Sequence, residues 1–203
     1  MCNSCTVTEV GLRETKRRAT ARALAQAAFD LAQEHGVDGF TIDEIATRAG
    51  YSRRTFANYY AGKEEAIVAV AIERVRHGLD TAPDEDLPLL DWLQAVARQQ
   101  LNDGLLMVLG DLQVLAEQHP PLRPHLLEVQ RCIRETAREA VLSRIDGDQI
   151  HAHLLVGAAY GALTCVLDGQ IPVRLPAKAD GNGSEMTITD FVDLTFTYLR
   201  QGF

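Results

Sequence analysis

No stretch of the sequence alternates apolar and polar residues convincingly enough to read as a strand, so the chain is expected to be all-α. No apolar run is read as reaching the roughly 18 residues that a membrane-spanning helix needs. The opening residues M-C-N-S-C-T-V-T-E-V have neither a basic region nor an apolar core, so no secretory signal is read there. The expected location is therefore the cytoplasm, with no membrane partner. Cysteine is sparse, at four residues, and a cytoplasmic setting argues against disulfides between them. Cys2 and Cys5 form a C-x-x-C, but no second pair or His pair follows at zinc-finger spacing and no βαβ pattern surrounds it. Cys132 and Cys165 sit in apolar helical stretches and read as core.

Catalytic signatures are missing too. The sequence has no G-x-S-x-G, no phosphate loop and no dinucleotide fingerprint. His151 and His153 are two residues apart, which puts them on different helix faces and unable to share a metal as an i, i+4 pair would. No enzyme activity, metal or cofactor is expected.

Basic excess is the last absence, since the net charge is −8. Its distribution changes the meaning. Residues 1–62 hold eight Lys and Arg against seven acids, while residues 63–203 hold twelve against twenty-one. The cations of the first part also cluster, at the start of the first helix and again near residue 53. Local clustering matters more to nucleic-acid binding than the sum does.

What is present is helical periodicity with well-placed punctuation. A helix is expected from about Leu12 to His35, with Leu24, Ala27, Ala28, Leu31 and Ala32 on one face and Gly36 as its stop. Arg13, Lys16, Arg17 and Arg18 lie in its first turns, either as a solvated charged face or as phosphate contacts. Residues 1–11 carry no periodic signal and read as a disordered tail. Thr41 followed by Glu44 is a capping box, and Ile42, Ile45, Ala46 and Ala49 then share a face. Gly50 can take the left-handed conformation that ends a helix, and Ser52 caps the next. Two capped helices across a short turn make a helix-turn-helix. Its second helix bears Arg53, Arg54, Thr55, Asn58 and Tyr59, groups suited to phosphates and base edges.

A longer helix opens at Lys63-Glu64-Glu65 and runs to about Gly78, followed by the Pro- and acid-rich stretch 80–88. Helices are then expected at Leu89–Gln100, Gly104–Gln118, Arg123–Ile145, Gln149–Leu167 and Ile188–Gln201, about nine in all. The Gln149–Leu167 segment is apolar nearly all round and rich in Gly and Ala, while 168–186 reads as a loop. The expected division is a tail over 1–11, a DNA-binding domain over 12–62 and a helical ligand-binding and dimerisation domain over 63–203, linked by the helix from Lys63.

From about Arg13 to Val70 the sequence resembles the N-terminal domain of the tetracycline-repressor (TetR) family of bacterial regulators. The resemblance rests on Leu24-x-x-Ala27-Ala28, Gly36, Thr41-Ile42-x-x-Ile45-Ala46-x-x-Ala49-Gly50, Ser52-x-x-Thr55, Tyr59-Tyr60 and Lys63-Glu64. Each element is weak alone, and their order and spacing together are specific. Three positions depart from the family pattern: Tyr51 where Val is usual, Arg54 where a small residue is usual, and Ala57 where Tyr is usual. The surface offered to DNA is therefore this chain's own.

The resemblance implies a ligand-responsive transcriptional regulator, a repressor on a pseudo-palindromic operator, acting as a homodimer through the last two helices. It implies Thr41, Thr55, Tyr59 and Lys63 as phosphate contacts, a role their hydroxyl and ammonium groups also suit. Tyr60 and Phe56 read as core. Arg53, Arg54 and Asn58 are the base-reading candidates, since Arg suits guanine and Asn suits adenine. Trp92, Met107, His125 and Tyr160 are candidates to line a pocket for a largely apolar small molecule, as are Cys132 and Cys165; ordinary core is the stronger reading for any one of them. Two other readings stay open: a helical binding or interaction module with vestigial DNA binding, and a helical enzyme using its helix-turn-helix for protein contacts.

Overall fold

Capping residues and glycines divide the chain into helices at the places their chemistry demands. The computed structural model describes residues 4–82, 86–145, 148–174 and 186–202, with side chains in the first helix from Arg13 onward. Among them are nine α-helices: α1 (Ser4–His35), α2 (Ile42–Arg48), α3 (Arg53–Ala57), α4 (Lys63–Asp80), α5 (Leu89–Asn102), α6 (Leu105–Gln118), α7 (Leu122–Leu142), α8 (Gln149–Leu167) and α9 (Ile188–Gln201). A single isolated bridge pairs Arg174 with Thr187, and no strand forms among the described residues. The all-α architecture is as expected.

Periodicity located most helix bodies within a turn, and missed where no apolar stripe exists to be read. α1 begins at Ser4, ahead of Leu12, in a stretch whose sequence carries no apolar stripe for periodicity to read. Cys2 lies outside the described residues, and of Cys5 only the backbone is described. The 3₁₀ turn Val37–Gly39 is too short to leave a periodic signal. Most of the 168–186 loop lies outside the described residues.

Contacts group the chain into two units, one of residues 1–74 with 111–129, the other of residues 75–110 with 130–203. In the first, α1 packs on α2 and α2 on α3. The expected stripe of Leu24, Ala27, Ala28, Leu31 and Ala32 is buried, as are Ile45, Ala46, Phe56 and Tyr60. In the second unit α5 packs on α9. One apolar cluster gathers Trp92, Val96, Val141, Ala152, Leu155 and Val156; another joins Leu106, Ile188 and Phe191. Polar side chains bridge α5 and α9: Asp193 accepts from Gln94 at 2.7 Å and from Arg98 at 2.8 Å, and Arg200 donates to Asp91 at 2.5 Å.

α9 is apolar on more than one side. Phe191 is buried, but so is Phe196, whereas Leu194 and Tyr198 are exposed at 37 % and 48 %. Apolar residues therefore occupy two sides of this helix, only one of which is covered by its own unit. Cys132 and Cys165, expected in the core, are half-buried thiols without a disulfide. α8 also revises the reading of apolar length: its 19 residues contain no Asp, Glu, Lys or Arg and are long and apolar enough to cross a membrane, with 17 % of the span buried.

Candidate nucleic-acid interface

The helix-turn-helix is assembled by local hydrogen bonds that its sequence prescribes. Thr41 is extended, with φ −113° and ψ 163°, and its hydroxyl accepts from the Glu44 N–H at 3.3 Å. The Glu44 carboxylate reaches back to the Thr41 N–H and hydroxyl, each at 2.8 Å, closing the capping box. Those bonds to its charged form hold the Glu44 carboxyl below its ordinary range. Gly50 ends α2 at φ +76°, the left-handed region that a Cβ disfavours. Ser52 then caps α3, accepting from the Thr55 N–H at 3.1 Å, and its hydroxyl lies 2.9 Å from that of Thr55.

α3 is shorter than expected. It stops at Ala57, and Asn58 is its C-cap rather than a helical residue. The chain tightens there through i→i+3 bonds, from the Asn58 N–H to Thr55 and from the Tyr59 N–H to Phe56, at 3.1 and 2.9 Å. Phe56 and Tyr60 face inward with ring centroids 5.8 Å apart, and the Tyr60 hydroxyl donates to the Ala21 carbonyl of α1 at 3.0 Å. Both residues are core, as read from the sequence. With them anchored, the other side of α3 faces out.

That outer side holds Arg53, Arg54 and Asn58, all exposed, with Thr55 and Tyr59 half-exposed. Arg53 is paired: its Nη1 donates to the Asp43 carboxylate at 2.7 Å. Arg54 has no hydrogen bond or ion pair among the described residues. Thr41 is exposed at the start of α2. Lys63 is half-buried at the start of α4, where its ammonium donates to the Phe40 carbonyl at 3.3 Å and lies 5.2 Å from that ring's centroid. Arg17 and Arg18 are exposed on α1, Arg18 bonding Glu14 at 3.3 Å. All nine candidate DNA-contact residues thus belong to the first unit.

Sequence reasoning missed three features of this region. Asp43 reaches Arg53 across ten positions, and Tyr51, noted only as a departure, brings its hydroxyl to 3.3 Å from that of Thr20 on α1. Arg48 grips Glu34 with two parallel bonds of 2.8 and 2.7 Å, tying α2 to α1 and holding the Glu34 carboxyl low. Spacing in sequence carries no signal for such pairs.

The second unit distributes the ligand candidates unevenly. Trp92 is buried and borders a cavity of about 660 Å³ that Leu79, Asp80, Asp86 and Arg144 also line. The Arg144 guanidinium lies 4.4 Å from the Trp92 ring centroid. Tyr160 is half-buried, with Arg134 at 4.9 Å from its ring centroid; burial pushes its phenol up while Arg134 pulls the other way. Met107 is exposed, and so is His125, which belongs to the first unit. Of the four candidates, Trp92 is the one that borders this cavity. No group of three or more His, Cys, Asp and Glu is placed to hold a metal ion among the described residues.

Similarity to known proteins is concentrated in the same N-terminal region. Residues 24–70 match the family model of bacterial regulatory proteins of the tetR family. Over those residues this chain is similar to tetR-family regulators. Among solved structures, a TetR-family transcriptional regulator from Mesorhizobium loti MAFF303099 superposes with TM-score 0.52 at 19 % identity, covering 90 % of this chain and 96 % of the other. The fatty acid degradation regulator FadR from Bacillus halodurans gives 0.53 at 18 % identity, covering 90 % and 95 %. A transcriptional regulator from Rhodococcus sp. Rha1 gives 0.51 at 22 % identity, covering 90 % and 96 %. At these identities the likeness is one of fold, and it extends TetR-like architecture over nearly the whole chain. No curated protein sequence matches the chain.

Proposed function

We propose that this protein is a ligand-responsive, DNA-binding transcriptional regulator, a repressor that binds a pseudo-palindromic operator as a homodimer and is released by a small molecule. The observation that carries the reading is the tetR-family segment itself, with its outward side bearing Arg53, Arg54 and Asn58. Arginine and asparagine suit base edges, and Thr41, Thr55, Tyr59 and Lys63 suit phosphates, which set register without reading sequence. Arg17 and Arg18 add cationic reach on α1.

α8 and α9 are the proposed dimer face. Ile150 and Leu154 are 74 % and 68 % exposed, and Gly157 and Gly161 continue the same helix face at i+7 and i+11 from Ile150. A Cβ built on either glycine meets nothing within 4 Å, so neither is required for packing within the chain. An uncovered apolar helix face with room for close approach suits a self-complementary contact about a two-fold axis. Such a dimer would set two α3 helices on successive major grooves, about 34–36 Å apart. A soluble, cytoplasmic, non-enzymatic protein is the setting this reading requires.

The effector is proposed to bind in the second unit, where Trp92 borders an open, largely polar cleft of about 660 Å³. Release follows only if the effector binds the DNA-competent and DNA-incompetent states with different affinity. The deciding experiment is titration of the protein with duplex DNA from the region upstream of its own gene at several salt concentrations. Saturable binding that weakens steeply with salt supports the reading, because phosphate contacts release counterions. Absence of salt-dependent binding would leave a binding module with vestigial DNA recognition.

A further inference from the structure

Arg53 is the first residue of α3, a position where the helix dipole disfavours a cation. Asp43, the second residue of α2, compensates by accepting from Nη1 of Arg53 at 2.7 Å. The two side chains are 66 % and 62 % exposed, and exposed ion pairs contribute little to stability. The pair is therefore poorly explained as a fold-stabilising contact. Its location is informative: Arg53 lies at the end of the second helix of the helix-turn-helix that presents residues to base edges in such motifs.

A carboxylate on Nη1 has two effects on an arginine aimed at DNA. It balances the charge, so Arg53 adds little to the sequence-independent attraction of phosphates. It also restricts the side chain while leaving Nη2 and Nε free, and a fixed fork is what bidentate contact with guanine requires. Arg54, next in the chain and without such a partner, shows the contrast.

We propose that Asp43 is a positioning residue for DNA sequence preference: it holds Arg53 as a base-reading group and keeps it from acting as a phosphate contact. The proposal rests on the DNA-binding reading above. Its test is selection from a pool of random-sequence duplexes by the full-length wild type and by Asp43→Asn, Asp43→Glu and Arg53→Ala, with thermal unfolding followed on each. Asp43→Asn is expected to fold normally and to lose preference at one base pair per half-site by about tenfold. Its salt dependence should steepen by about one unit of slope, as a released arginine turns to phosphate. Arg53→Ala should lose preference at that same base pair, and Asp43→Glu, which keeps the charge, should retain it. The proposal is overturned if Asp43→Asn selects the wild-type sequences, including the case where it binds all of them more tightly by one factor. It is overturned equally if Arg53→Ala alters a different base pair from Asp43→Asn. If the wild type itself selects nothing in a salt-dependent way, the DNA-binding reading has failed and takes this proposal with it.

Discussion

The phenol of Tyr60 donates to the backbone carbonyl of Ala21, 39 residues away, at 3.0 Å. This bond ties the end of the helix-turn-helix to the middle of α1, and Tyr60 is 8 % exposed where it forms. Tyr60→Phe keeps the ring that packs at a tilt against Phe56 and removes the donor. The carbonyl it deserts lies within a helix and retains its place in the backbone ladder, so no buried acceptor is left without a partner. The expected loss is about 0.5–1.5 kcal/mol, the net value of one hydrogen bond. Chemical denaturation of the two proteins measures it; a larger loss would mean that the hydroxyl also secures other groups around it.

Glu44 makes the helix-turn-helix acid-sensitive. Its carboxyl is held low by bonds from the Thr41 hydroxyl and then the Thr41 N–H, which only the charged form accepts fully. A depressed folded-state pKa contributes stability that is complete above the ordinary glutamate value of 4.5 and is lost as pH falls through the folded value. Wild type and Glu44→Ala should therefore differ most near neutral pH and converge as the solution is acidified below that range. Thermal unfolding of both across pH 3–7 checks the sign, taking the range from about 4.5 downward as the window of convergence. A gap that widens on acidification would contradict the capping geometry.

How far the sequence revealed this protein depends on the distance over which each feature is built. Thr41, Glu44, Gly50 and Ser52 act within three or four residues, so their roles were readable as spacing, and the structure shows the bonds they make. The stripe from Leu24 to Ala32 was readable because a helix repeats its buried face. The Asp43–Arg53 and Glu34–Arg48 pairs were not, because they depend on where a turn brings two side chains. α9 shows a second limit. Its apolar residues recur along the helix, but recurrence has no means of saying what covers them, and its own unit buries Phe191 and Phe196 while leaving Leu194 and Tyr198 exposed. Burial in the second unit was the least legible, since buried Trp92 and exposed Met107 carry the same apolar character in sequence.

Arg54 offers a direct probe of base reading. It replaces the small residue usual at its position in TetR-like sequences, and it is exposed beside Arg53. Arg54→Ala is expected to cost about 1–3 kcal/mol on a selected site and to relax preference at one base position. Competition between the selected duplex and single-base variants measures both quantities. Uniform weakening on every variant would instead assign Arg54 to the phosphate backbone.

The proposed dimer face on α8 is open to a direct test. Leu154 is 68 % exposed, so Leu154→Glu removes little packing from the chain's own core and should leave the thermal transition of an isolated subunit nearly unchanged. In a dimer built on α8, the same substitution buries a carboxylate at an apolar contact and should yield monomers. Gly157→Ala separates the two settings further. No atom lies within 4 Å of an added Cβ, so within one chain the change should stabilise α8 by about 1 kcal/mol through helix propensity. If a partner helix approaches along this face, the added methyl instead obstructs it and weakens association. Sedimentation equilibrium on the three proteins decides between these outcomes. A dimer that survives both substitutions would place the subunit contact elsewhere, and α8 would then need another explanation for its uncovered apolar side.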